Sequence, residues 1–114
     1  MGDSGHNSFD QVLDGAKLDE LFSKSNQGPV VIFKHSNTCP ISSGVYQIMQ
    51  GVSIPVSIVV VQQARAISNE IEKRTGVRHE SPQVIILRNG QAVWTASHWD
   101  IDSRDVEAAV RSNA

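Results

Sequence analysis

The sequence of 114 residues contains one cysteine, Cys39, and that scarcity excludes several chemistries. A disulfide scaffold, a dithiol enzyme that closes its own disulfide, and a zinc or iron–sulfur site built from several cysteines of one chain all need more sulfur than this. An excess of charge of one sign is lacking as well. Ten Lys and Arg against twelve Asp and Glu leave a formal net charge of −2, without the basic surplus by which a dedicated binder neutralises phosphates, so no nucleic-acid partner is expected. The longest apolar runs, around 56–61 and 84–87, fall far short of the ~20 residues that span a bilayer. No membrane partner is expected, and the opening Met1–Ser8 has neither the basic nor the apolar region of a signal peptide, which points to the cytoplasm. Aromatic residues make up only 5% of the chain.

What is present suits one globular domain: 39% hydrophobic and 19% charged residues over a length typical of a single core. Residues 1–8, rich in Gly, Ser and Asn, read as a disordered tail, and 9–114 as the domain. Phe9–Leu13 alternates and suggests an edge strand. Asp14 is a plausible N-cap for a helix of about ten residues carrying Leu18, Leu21 and Phe22, which Asn26-Gln27-Gly28-Pro29 ends. Val30–Phe33 is a short apolar run of the buried-strand type, followed by the polar stretch Lys34–Thr38. After Cys39-Pro40, the spacing of Ile41, Val45, Ile48 and Met49 predicts a helix that stops near Gly51. Val56–Val61 is a second buried strand, and Arg65–Thr75 a helix closed by Gly76. Gln83–Leu87 and Ala92–Ser97 flank Asn89-Gly90, the strongest short hairpin signal, and a last helix follows Asp102. This order, with a parallel half first and a hairpin second, resembles the α/β thioredoxin-like fold, a central mixed sheet flanked by helices.

The cysteine's neighbours give it a chemistry. Proline is favoured at the first helical position, because its missing N–H would have no intrahelical partner there. With Pro40 in that place Cys39 becomes the N-cap, and its sulfur meets the amides of Ile41 and Ser42 and the positive end of the helix, both of which favour thiolate over thiol. Ser42 lies one turn on, where its hydroxyl can donate to the thiolate but cannot resolve a disulfide. Cys39-Pro40-Ile41-Ser42 is therefore a monothiol arrangement: Cys39 attacks a disulfide, keeps one half as a mixed disulfide, and is released by an outside thiol. Three scattered histidines and one thiolate do not reproduce the short ligand spacings of structural zinc sites, so no metal is expected.

More specific is the combination of Phe33-Lys34-His35-Ser36, Thr38-Cys39-Pro40-Ile41-Ser42, Ile67-Ser68-Asn69-Glu70, the segment Val77 to Gln83, and Ser97-His98-Trp99-Asp100. Together these resemble the monothiol bacilliredoxins of the YtxJ type, over nearly everything from Val30 to Ile101. The resemblance implies a bacterial thiol–disulfide oxidoreductase that removes bacillithiol from S-bacillithiolated client proteins, with bacillithiol as co-substrate and no bound cofactor. It assigns catalysis to Cys39, which spacing sets beside Ser42. Pro82 would be the cis-proline, and the backbone of Ser81 would pair with substrate beside Pro40. Because bacillithiol carries two carboxylates on its malate, Lys34, His35, Arg78, His79 and His98 are candidate partners for it, with Trp99 packing against the thiol or closing the core. Two other readings stay open: a redox-sensing or tethering module without turnover, and an iron–sulfur carrier of the monothiol glutaredoxin kind, although Ile41 stands where those proteins have a glycine-containing pattern.

Overall fold

The computed structural model describes residues 9–114. It arranges them as β1 (Asp10–Gln11), α1 (Gly15–Lys24), β2 (Val30–His35), α2 (Pro40–Gln50), β3 (Ser57–Val60), α3 (Arg65–Thr75), β4 (Gln83–Arg88), β5 (Gln91–Ser97) and α4 (Ser103–Ser112), with a 3₁₀ turn at His98–Asp100. The sheet runs β1-β3-β2-β4-β5. β1 and β2 pair parallel to β3, while β4 pairs antiparallel to both β2 and β5. The tail expected over residues 1–8 lies outside the described residues.

Strand alternation divides the core into two layers. From β2, Val31 and Phe33 meet Val45 and Met49 of α2 and Val106 and Ala109 of α4. Ile32, on the opposite face, meets Leu18 and Leu21 of α1 and Ile67 and Ile71 of α3. The cysteine-bearing helix and Lys34 therefore belong to different faces of one sheet, Lys34 sharing the side of Ile32 and reaching α3.

Local chemistry closes the elements as their sequences imply. The Asp14 carboxylate accepts the Lys17 amide at 2.9 Å, and that of Asp102 accepts the Arg104 amide at 2.7 Å. Gly76 takes φ +73° to end α3. Asn89 and Gly90 both have positive φ, 55° and 75°, the turn whose twist suits a two-residue hairpin.

Several boundaries differ from expectation, β3 for one running Ser57–Val60 within the apolar stretch 56–61. β1 is two residues long where five alternate in the sequence. β2 continues through Lys34 and His35, because both stay in register with Val59 and Val60 of β3 and their side chains find room inside the protein. His98–Asp100, between the last strand and the last helix, turns as a 3₁₀ segment.

Candidate active site

Cys39 is a half-buried free thiol at the N-cap of α2, with φ −100° and ψ 123° and Pro40 following in the first helical turn. Its carbonyl accepts the Ser43 amide at 3.1 Å, so the helix starts at the cysteine itself. The sulfur caps by position, without a hydrogen bond to the helix amides. Ser42 is fully buried, and its Oγ accepts the Ser36 amide at 3.2 Å. The hydroxyl thus ties the loop before the cysteine to the helix after it, where sequence spacing had pointed to donation toward the sulfur.

A residue not singled out in the sequence holds that loop from the other side. Gln62 follows β3, and the Val61 amide donates to the His35 carbonyl at 2.9 Å, which keeps the two chains side by side past the end of the ladder. From there Gln62 Nε2 donates to Ser36 Oγ at 2.7 Å and to Thr38 Oγ1 at 3.2 Å, and its Oε1 accepts the Asn37 amide at 3.2 Å. All three residues that lead into Cys39 are thereby fastened by one amide side chain. The signal available in sequence was a polar residue directly after the buried strand that neighbours β2.

The second wall comes from the start of β4. The Ser81–Pro82 peptide is cis. Pro82 is buried, and its carbonyl accepts the His98 amide at 2.9 Å. His98 adopts φ 56°, a left-handed conformation that costs a non-glycine residue energy and here follows β5 directly. Beyond it, Trp99 lies across α2: a Cβ built on Gly44 would stand 2.7 Å from the indole Cη2. The absence of a side chain at Gly44 lets the ring sit against the helix, yet the indole remains 62% exposed. Pro82, His98, Trp99 and the helix of Cys39 are thus joined through one backbone bond and one close packing contact.

The expected cationic groups divide. Arg78 and His98 are exposed, and the Arg78 carbonyl accepts Gln83 Nε2 at 2.9 Å. Lys34 is completely buried; its Nζ donates to the Ser68 carbonyl at 3.2 Å and lies 3.3 Å from His79 Nδ1. A Lys34 ammonium has no acceptor capacity, so as a cation it bonds the His79 tautomer that carries its proton on Nε2. Ser68 Oγ is also within 3.1 Å of that nitrogen, and the His79 amide donates to Glu72 at 3.0 Å. Burial holds Lys34 below the ordinary lysine range, against the pull of Glu72. Burial also lowers His79, aided by the positive charges of Lys34 and Arg65 and opposed by Glu72 and Glu80. His35 is buried between Phe33 and Tyr46, its ring centroid 4.9 Å from that of Tyr46, and burial pushes its pKa down against a hydrogen bond with the Ser42 backbone that pulls it up. Among the described residues, no group of three or more His, Cys, Asp and Glu side chains is placed to hold a metal ion, and no helix is long and apolar enough to cross a membrane.

Comparison with known proteins bears on the family and the fold. The family model of monothiol bacilliredoxin BrxC matches residues 11–106. A solved chain assigned as an oxidoreductase with a thioredoxin fold is 31% identical, with a TM-score of 0.79 over 88% of this chain and 91% of its own. A single-substitution mutant of the thioredoxin from Halobacterium salinarum has 16% identity and a TM-score of 0.68, over 97% of this chain and 95% of that one. Malassezia sympodialis thioredoxin has 17% identity and a TM-score of 0.68, over 95% and 92%. The last two bear on the fold alone.

Proposed function

The chain belongs to the monothiol bacilliredoxin family, and from that premise we propose that it removes bacillithiol from S-bacillithiolated client proteins in the cytoplasm. The observation that carries the reading is a lone thiol at the N-cap of α2 with Ser42, not a second cysteine, one turn along. Disulfide exchange needs a sulfur nucleophile, and Cys39 is the single one the sequence supplies.

The Cys39 thiolate attacks the bacillithiol sulfur of the client's mixed disulfide. The S–S bond breaks, the client sulfur leaves with the electron pair and takes a proton from water, and bacillithiol stays on Cys39 as a new disulfide. A second thiol then attacks the bacillithiol sulfur and returns Cys39 as thiolate, so over the cycle the client sulfur is reduced and the outside thiol is oxidised, leaving joined to bacillithiol as a disulfide. The Ser81 backbone and Pro82 line the client segment, and His98 and Trp99 flank it. Lys34 serves indirectly, since its ammonium braces His79 in the segment that leads to Pro82.

The test uses a single-cysteine client carrying bacillithiol, incubated with catalytic amounts of the protein and excess bacillithiol. The expected result is many client thiols released per redoxin, lost in Cys39→Ser. Release of no more than one client thiol per chain would overturn catalysis and leave a sensing or tethering role.

A further inference from the structure

Along the flank of α2 lies a cavity of about 360 Å³ that the exchange reaction as described does not use. Its lining includes Asn37, two residues before Cys39, and Ser43, one helical turn (about 6 Å) after it. Gln47 and Gln50 continue the stripe at the i+4 and i+7 positions from Ser43, so the groove starts within one helical turn of the cysteine, which does not itself line it, and runs on for about 10 Å. Tyr46 supplies an aromatic ring, and His35 closes the floor with a buried Nδ1 that has no hydrogen-bond partner among the described residues.

The chemistry of this lining is selective. It contains amides, hydroxyls, one phenol and the imidazole of His35, and no Asp, Glu, Lys or Arg. Carboxamide groups donate and accept at once, which suits adjacent hydroxyls that also do both; a carboxylate or phosphate calls for cations or clustered amide N–H groups instead. An uncharged, hydroxyl-rich ring with an apolar face for Tyr46 matches these partners.

We propose that this groove is the subsite for the sugar of the thiol that Cys39 takes up, and so the element that distinguishes a glycosylated thiol from a plain cysteine. The inference rests on the reading above that the thiol is bacillithiol, in which a cysteine is joined to an amino sugar. The malate end extends past the groove toward solvent, since the lining offers it no cation.

Rates of mixed-disulfide formation at Cys39 test this, measured by intact mass with two oxidants: oxidised bacillithiol, and cystine, which presents the same cysteine without the sugar. Gln47 is exposed and Gln50 half-buried on a helix that alanine favours, so Gln47→Ala/Gln50→Ala keeps the fold. The double variant is expected to react about tenfold more slowly than wild type with oxidised bacillithiol and at an unchanged rate with cystine. In parallel, S-methyl bacillithiol, which cannot exchange, is expected to shift the Gln47 and Gln50 side-chain amide signals in NMR spectra. Equal rates for variant and wild type with oxidised bacillithiol, or an equal slowing with both oxidants, would overturn the subsite. Wild-type protein that reacts with cystine but not with oxidised bacillithiol would overturn the bacillithiol reading itself, a different result.

Discussion

Ser42 occupies the place where a dithiol redoxin would carry its resolving sulfur, but its work in this protein is also mechanical. Its Oγ is the acceptor for the Ser36 amide inside the protein. Ser42→Ala leaves that amide unpaired, a loss of about 1–3 kcal/mol in chemical denaturation. Ser42→Cys keeps a small group in the same place and supplies a second sulfur one turn from Cys39. After one equivalent of a small disulfide, that variant is expected to end as an internal disulfide with no adduct by intact mass; a lasting adduct would show that residue 42 cannot reach Cys39. The buried lysine permits a separate test. Lys34→Met retains the apolar stem and removes a positive charge 3.3 Å from His79 Nδ1, so His79 should titrate at higher pH than in wild type by NMR. An unchanged or lower value would contradict the contact.

At the scale of elements, the helix that presents Cys39 was legible because its signals are local: a proline at the first turn, an apolar face at helical spacing, and a glycine at the end. The hairpin was legible for the same reason, through Asn89-Gly90. Gln62, the 3₁₀ turn and the burial of Lys34 were not. Each depends on a partner more than 15 residues away in the chain, Ser36 for Gln62, Pro82 for His98 and Ser68 for Lys34, and neither periodicity nor turn chemistry encodes such pairings. Gln62→Ala removes three bonds to the cysteine loop and should cost about 1–2 kcal/mol, with faster amide hydrogen exchange at Asn37. Unchanged exchange there would show that the loop holds itself. Gly44→Ala tests the packing between the 3₁₀ turn and α2. Alanine improves helix propensity by about 0.5–1 kcal/mol, but its Cβ takes the space of the indole. Stability near wild type with a red-shifted Trp99 emission is expected, read in a Trp94→Phe background; an unshifted spectrum would place the ring elsewhere.

For the molecule as a whole, two core layers on one mixed sheet bring the end of β2, the start of β4 and the end of β5 to the same edge, the one from which the chain runs on to Cys39. Buried His35 and half-buried His79 give this fold a pH signature. Burial lowers both His35 and His79, so the unfolded chain accepts protons near pH 6.5 that the native state still refuses. Stability is then fully present above that pH and declines as pH falls below it toward the lower native values. Denaturation midpoints measured between pH 7.5 and 5.5 should fall accordingly, and fall less in His79→Gln. A midpoint that rises on acidification would contradict the burial of these rings. The absence of a second cysteine, which first excluded whole classes of chemistry, is the property on which the mechanism turns. It is tested most directly by the intact mass of reduced protein after exposure to oxidised bacillithiol and removal of the excess. The account predicts one bacillithiol per chain, stable until an outside thiol is added and missing in Cys39→Ser; an unmodified chain, or an adduct that survives in Cys39→Ser, would contradict it.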